Sequence, residues 1–189
     1  MFLVIFFSIA CSKGKTILET TSLNLESVPT VHAEDVISLM SDSGVTRYRL
    51  KASIWDIYSK EGQTNWIFPR GIYVEKFDSI FQVEASVVAD TAYYFGHTGI
   101  WQLIGNVKVI NLKQETFETS ELFWDQKTAQ VYSDSLVRVE QQGAVIVSIG
   151  FKSNQEMNNY MFYSIQPSTY FEVKGDTLPR PQEEELKQK

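Results

Sequence analysis

A period of two runs through the middle of this chain and recurs in blocks of about 34 residues, which leaves few folds open. In residues 47–54, Tyr48, Leu50, Ala52 and Ile54 fall on one face, and Arg47, Arg49, Lys51 and Ser53 on the other. Residues 82–87 set Val83, Ala85 and Val87 against Gln82, Glu84 and Ser86. Val107 and Val109 oppose Asn106 and Lys108, and Val137 and Val139 oppose Arg138 and Glu140. Val145, Val147, Ile149 and Phe151 continue the pattern. These segments are rich in β-branched and aromatic residues and are punctuated by Gly, Asn, Asp and Ser, so they read as strands. No window of ten or more residues carries a helical stripe.

Three segments align in more than period. Leu50-Lys51-Ala52-Ser53 lies over Val83-Glu84-Ala85-Ser86 and Phe117-Glu118-Thr119-Ser120, placing the serines 33 and 34 residues apart. Each segment leads to a second strand, beginning near Gly71, Gly105 and Leu136, with the two glycines again 34 apart. Each unit is a strand pair with one apolar face that it cannot bury alone. Stacked units must turn those faces inward as a sandwich, roll or barrel, so the predicted class is all-β.

The 189 residues include 12 Phe, 4 Trp and 9 Tyr within an apolar fraction of 43%, enough for one core. One cysteine and two histidines exclude a disulfide framework and a cysteine-rich zinc site. A net charge of −6 argues against nucleic acid as a partner.

Residues 2–10 are apolar except for Ser8. As a helix they span about 14 Å, too short for a hydrocarbon core of about 30 Å, so they read as an export signal. The ending Ser8-Ile9-Ala10-Cys11 resembles a bacterial lipobox, which makes Cys11 the expected lipidation site and membrane anchor. The alternative is a short uncleaved signal with an incidental cysteine. The predicted organisation is a signal over 1–11, a flexible tether over 12–33, the β domain over 34–174 and a disordered acidic tail over 175–189.

Candidate chemistry is sparse. His32 and His97 have no partners in the sequence that would complete a metal set or a nucleophilic triad. Asp56, Asp90 and Asp125 recur once per unit, either as carboxylates of a hydrolase or as turn initiators. Arg47, Arg49 and Lys51 form a basic stripe that either meets phosphates or lies as a solvated strand face. The inward set by phase is Tyr48, Leu50, Ala52, Ile72, Val74, Val83, Ala85, Val107, Val109, Val137, Val139, Ile149 and Phe151. It is either a closed core or a groove for apolar chains.

The segment Trp66-Ile67-Phe68-Pro69-Arg70-Gly71-Ile72-Tyr73-Val74-Glu75-Lys76-Phe77-Asp78 resembles a signature of the LptC family of periplasmic lipopolysaccharide-export proteins. Residues 85–94, Trp101 to Val109, Phe117 to Asp125 and Gly150-Phe151-Lys152-Ser153-Asn154 resemble further family motifs in family order, from about residue 34 to 166. The resemblance implies an open β-jellyroll anchored to the inner membrane of a Gram-negative envelope, in the OstA-like group that includes LptA. It implies a carrier without catalytic groups or cofactors, taking lipopolysaccharide from the inner-membrane ABC complex LptB/LptF/LptG and passing it to an LptA-like bridge. The domains would join edge to edge, the N-terminal edge near residues 45–54 meeting the extractor and the C-terminal edge near 160–165 meeting the bridge. Acyl chains would bind Tyr48, Leu50, Ile72, Val74, Val83, Val107, Val109, Val137, Val139, Ile149 and Phe151. The alternatives are a structural adaptor with a filled core and an envelope hydrolase.

Overall fold

A computed structural model of the chain describes residues 28–42, 44–60 and 62–171. The strands are β1 (Val31–Asp42), β2 (Val45–Lys60), β3 (Gln63–Phe68), β4 (Ile72–Phe77), β5 (Val83–Ala89) and β6 (Thr91–Phe95). They continue as β7 (Ile100–Ile110), β8 (Thr116–Asp125), β9 (Gln130–Gln141), β10 (Ala144–Asn154), β11 (Tyr160–Ile165) and β12 (Tyr170–Phe171). All lie in one twelve-stranded antiparallel sheet. The chain adopts the all-β class expected from the alternation, in the jellyroll-like form that the family resemblance implies.

The topology is simpler than twelve strands suggest. β3 and β4 pair successive stretches of β2, and β6 and β5 pair successive stretches of β7. Each couple is therefore one long strand interrupted in the middle, and the sheet is a meander of long strands running from β1 to β11. Each repeat unit is one antiparallel pair: β2 with β3/β4, β5/β6 with β7, and β8 with β9.

The interruptions fall side by side and form a crease across the sheet. It starts at Asp35, skipped between the pairs Glu34–Ile54 and Val36–Ala52, and at residues 69–71 opposite Ser53 and Ile54. It continues through Asp90, Gly105 and Asn106, Ser120, Ser135 and Gly150, where the ladders between β7, β8, β9 and β10 shift register. Gly71, Gly105 and Gly150 take φ of 90°, 78° and 76°, the left-handed region that a glycine enters without strain. A bulge leaves backbone groups without ladder partners, and buried hydroxyls take them. Ser135 N–H donates to Ser133 Oγ at 3.1 Å, Thr119 Oγ1 donates to the Leu136 carbonyl at 2.9 Å, and Ser148 Oγ donates to the Gly150 carbonyl at 3.1 Å.

Each side of the crease contributes to one apolar cluster. On one side lie Leu50, Ile72, Val107, Val109, Phe117, Val137, Val139 and Ile146; on the other lie Phe68, Trp101, Leu103, Leu122, Val131 and Phe151. The bulges also correct the inward set read from strict alternation. Beyond the shift between Lys76 and Phe77, Val83 pairs with Phe77 on the opposite face and is 48% exposed. Upstream of Gly150 the inward positions are Ile146 and Ser148, paired with Val139 and Val137. Val145, Val147 and Ile149 therefore turn to the other face, and Ile149 is 49% exposed.

β1 begins at Val31, inside the stretch expected to be tether, and covers β2 along its length. The N-terminal edge is therefore β1, and residues 45–54 lie in an interior strand with β1 on one side and β4 on the other. β11 pairs only with β10 among the described residues, so the expected C-terminal edge at 160–165 is an edge. Cys11, the signal, most of the tether and the acidic tail lie outside the described residues.

Candidate functional site

Both sides of the crease carry fully buried residues on their inward faces. Leu50, Phe117, Val107, Val137, Val139 and Phe151 are fully buried, so these positions of the expected acyl-binding set are packed against one another. Ile72 and Val109 are buried in the same cluster, Val74 packs against it, and Tyr48 is half-buried beside Met40 and Lys76.

The other side carries an aromatic wall. The register sets Trp66 opposite Tyr94, Tyr94 opposite Trp101, and Trp101 opposite Trp124, one ring per long strand. Trp66 and Tyr94 lie 4.7 Å apart between centroids, Tyr94 and Trp101 5.0 Å, and Trp101 and Trp124 6.4 Å. Trp55 closes the group from β2, 5.1 Å from Trp66 and 5.5 Å from Phe68. Phe68 and Trp101 are buried, but Trp55, Trp66, Tyr94 and Trp124 are only partly so although they face inward. These four rings are the partly buried rim of the cluster on this side of the crease, as Met40, Val74 and Val87 are on the other. The Nε1 atoms of Trp55, Trp101 and Trp124 are buried without a hydrogen-bond acceptor.

Sequence reasoning passed over this wall because each tryptophan looked like one more apolar position. The available signal was their recurrence at 66, 101 and 124, heights that the ladder brings into line.

The charged candidates separate into unrelated contacts. Arg49 Nε donates to Glu75 Oε2 at 2.5 Å, Lys51 sits 5.5 Å over the Tyr73 ring, and these engage the basic stripe on the sheet itself. Asp56 bonds His32, Asp90 bonds Asn106, and Asp125 accepts from the Lys127 and Thr128 amides. Only Asp125 therefore plays the turn-initiating role at a hairpin. His97 is exposed in the β6–β7 turn, where its carbonyl accepts from Lys127 Nζ. Among the described residues no group of three His, Cys, Asp or Glu could hold a metal ion, and no helix is long and apolar enough to cross a membrane.

An all-β roll with an apolar interior, an aromatic wall and, among the described residues, an edge strand at each end of the sheet suits a carrier of amphiphiles. A family model described as lipopolysaccharide-assembly, LptC-related, matches residues 1–164. The chain belongs to the LptC family. The match runs through the crease and the aromatic wall and ends within β11. Membership in the LptC family gives the chain a role in lipopolysaccharide transport in the envelope. No curated protein matches the chain.

Proposed function

We propose that this protein accepts lipopolysaccharide from the inner-membrane ABC complex LptB/LptF/LptG and hands it to an LptA-like bridge, binding acyl chains along its inner face. The observation that carries this role is the inward-facing, partly buried aromatic wall that lines an apolar interior. β1 would meet the extractor's periplasmic domain and β11 the bridge, each by adding a strand to an unpaired edge. Cys11, once diacylated, would hold the domain at the inner membrane, since several acyl chains at about 0.8 kcal/mol per CH₂ make the anchor permanent.

The energetics match a conduit better than a catalyst. Moving an acyl chain from water to an apolar wall gains about 0.8 kcal/mol per CH₂, but a chain leaving a bilayer gains little. Net direction then comes from ATP hydrolysed by the partner, and the roll needs no reacting groups of its own. The acyl-binding residues expected from phase, Leu50, Ile72, Val74, Val107, Val109, Val137, Val139 and Phe151 with Tyr48, would engage cargo only as the two halves part.

Photo-crosslinking tests this. With p-benzoylphenylalanine at Tyr94 or Trp66, cells making lipopolysaccharide should yield a lipopolysaccharide adduct on irradiation, and the exposed Leu136 position should not. Absence of an adduct at both inward positions would refute carriage. Mass spectrometry of the membrane-extracted chain tests the anchor separately, an unmodified Cys11 thiol being the refuting result.

A further inference from the structure

Three indole N–H groups, on Trp55 of β2, Trp101 of β7 and Trp124 of β8, are buried with no acceptor among the described residues. A buried donor without an acceptor costs free energy, and native folds hold few of them. Here three fall in one cluster, linked through the rings of Phe68 and Trp66, and Trp101 is itself only 8% exposed. The edge-on contact of Trp55 with Trp66, at 70° between planes, satisfies ring quadrupoles but does not supply an oxygen.

The surroundings say which acceptor suits these donors. The buried neighbours in the cluster are Phe68, Ala92, Leu103, Leu122 and Val131, and no Lys, Arg or His is buried among the described residues. A phosphate or carboxylate brought here would lie in an apolar wall without a counter-charge, at a prohibitive desolvation cost. A neutral oxygen flanked by hydrocarbon meets no such penalty. We infer that the indole N–H groups of Trp55, Trp101 and Trp124 form a binding site for the carbonyl oxygens of acyl linkages, esters or amides, in a bound lipid. The site rests on the proposed carriage of lipid and adds to it a polar point of recognition. The apolar wall holds chains of any length, and the donors fix the depth at which the chains join their head.

Replacing ester by ether isolates this contribution, because the hydrocarbon stays the same and only the carbonyls are lost. The full chain, ¹⁵N-labelled and held in dodecyl maltoside, which has no carbonyl, is titrated with a short-chain diester phosphatidylcholine and with its diether analogue. The diester should bind about three- to tenfold more tightly, the span of one or two neutral hydrogen bonds. It should also move three of the four indole ¹H–¹⁵N signals downfield, and the diether should not. Trp124→Phe keeps a ring and removes a donor, so it should narrow the ester preference while the thermal melt shows the folded state. Equal binding of the two lipids without downfield shifts would overturn the carbonyl site and leave carriage standing. Failure of both lipids and of lipopolysaccharide to bind would overturn the site and the proposed function together.

Discussion

Arg49 and Glu75 face each other across the β2–β4 pair, with the arginine Nε donating to the carboxylate at 2.5 Å. Glu75 is only 6% exposed, and the Tyr73 hydroxyl donates to its second oxygen at 3.1 Å. The guanidinium hydrogen bond holds the Glu75 carboxyl below the usual carboxylate range, against the opposing effect of burial. A depressed folded pKa contributes stability above the unfolded value of about 4.3 that is lost as pH falls through the folded pKa. Glu75→Gln should therefore melt below the parent at pH 7, and the gap should close as both are acidified. A gap that stays constant from pH 7 to pH 2, followed by circular dichroism, would contradict this.

Phe117 packs against Phe151 and Tyr160 in the interior of the roll, with ring centroids 5.8 and 5.1 Å away. Phe117→Ala should cost about 3–5 kcal/mol in urea unfolding, from lost transfer energy plus a residual cavity. Leu136→Ala, at a position 55% exposed on the other face, should stay within about 0.5 kcal/mol. Similar costs for the two would mean that the interior is not packed as described.

Gly105 shares the crease with Asp90. A Cβ at residue 105 would come within 2.7 Å of Asp90 Oδ2 and 3.0 Å of Asp90 Cβ, and φ is already 78°. Gly105→Ala should cost about 2–3 kcal/mol, because it adds crowding to left-handed strain and disturbs the 2.7 Å bond from Asn106 Nδ2 to Asp90. Gly44→Ala meets the same φ problem with nothing within 4 Å, and should cost about 1–2 kcal/mol. Denaturant midpoints for the two variants measure the crowding by difference.

His32, the second residue of β1, ties the edge strand to its neighbour, with Nδ1 2.5 Å from Asp56 Oδ1 and Nε2 3.4 Å from Glu34. The Asp56 hydrogen bond, helped by Glu34, raises the His32 pKa. The linked stability is fully present below about 6.5, the unfolded value, and is lost as pH rises through the higher folded pKa. An NMR titration should find His32 above 6.5, and Asp56→Asn should lower it. An unchanged midpoint in that variant would remove Asp56 as the cause.

The strands were legible because a half-buried sheet writes its pleat into the sequence: Leu50, Ala52, Val137 and Val139 fell inside as their alternation required. The spacing of Gly71 and Gly105 also marked a real structural repeat, since both lie on the crease with positive φ. What alternation could not carry was a change of phase. Gly150 reverses the faces upstream of it, and the shift beside Phe77 reverses Val83, because one extra residue moves every side chain beyond it to the other face. β1 escaped notice because an edge strand is buried weakly: Val36 and Met40 point one way, Ile37 and Leu39 the other, so no apolar face stands out. The tryptophan wall needed the register, which is a property of pairs of strands and not of any one segment.

The crease interrupts the hydrogen-bond ladder at the same height in strand after strand. The strands β2, β7, β8, β9 and β10 run unbroken through it, so the ladders on its two sides are joined by the chain itself. Fully buried Phe68, Ala92 and Phe151 on the tryptophan side and Phe117, Val137 and Val139 on the other belong to one core, so the fold line is pinned from both of its sides.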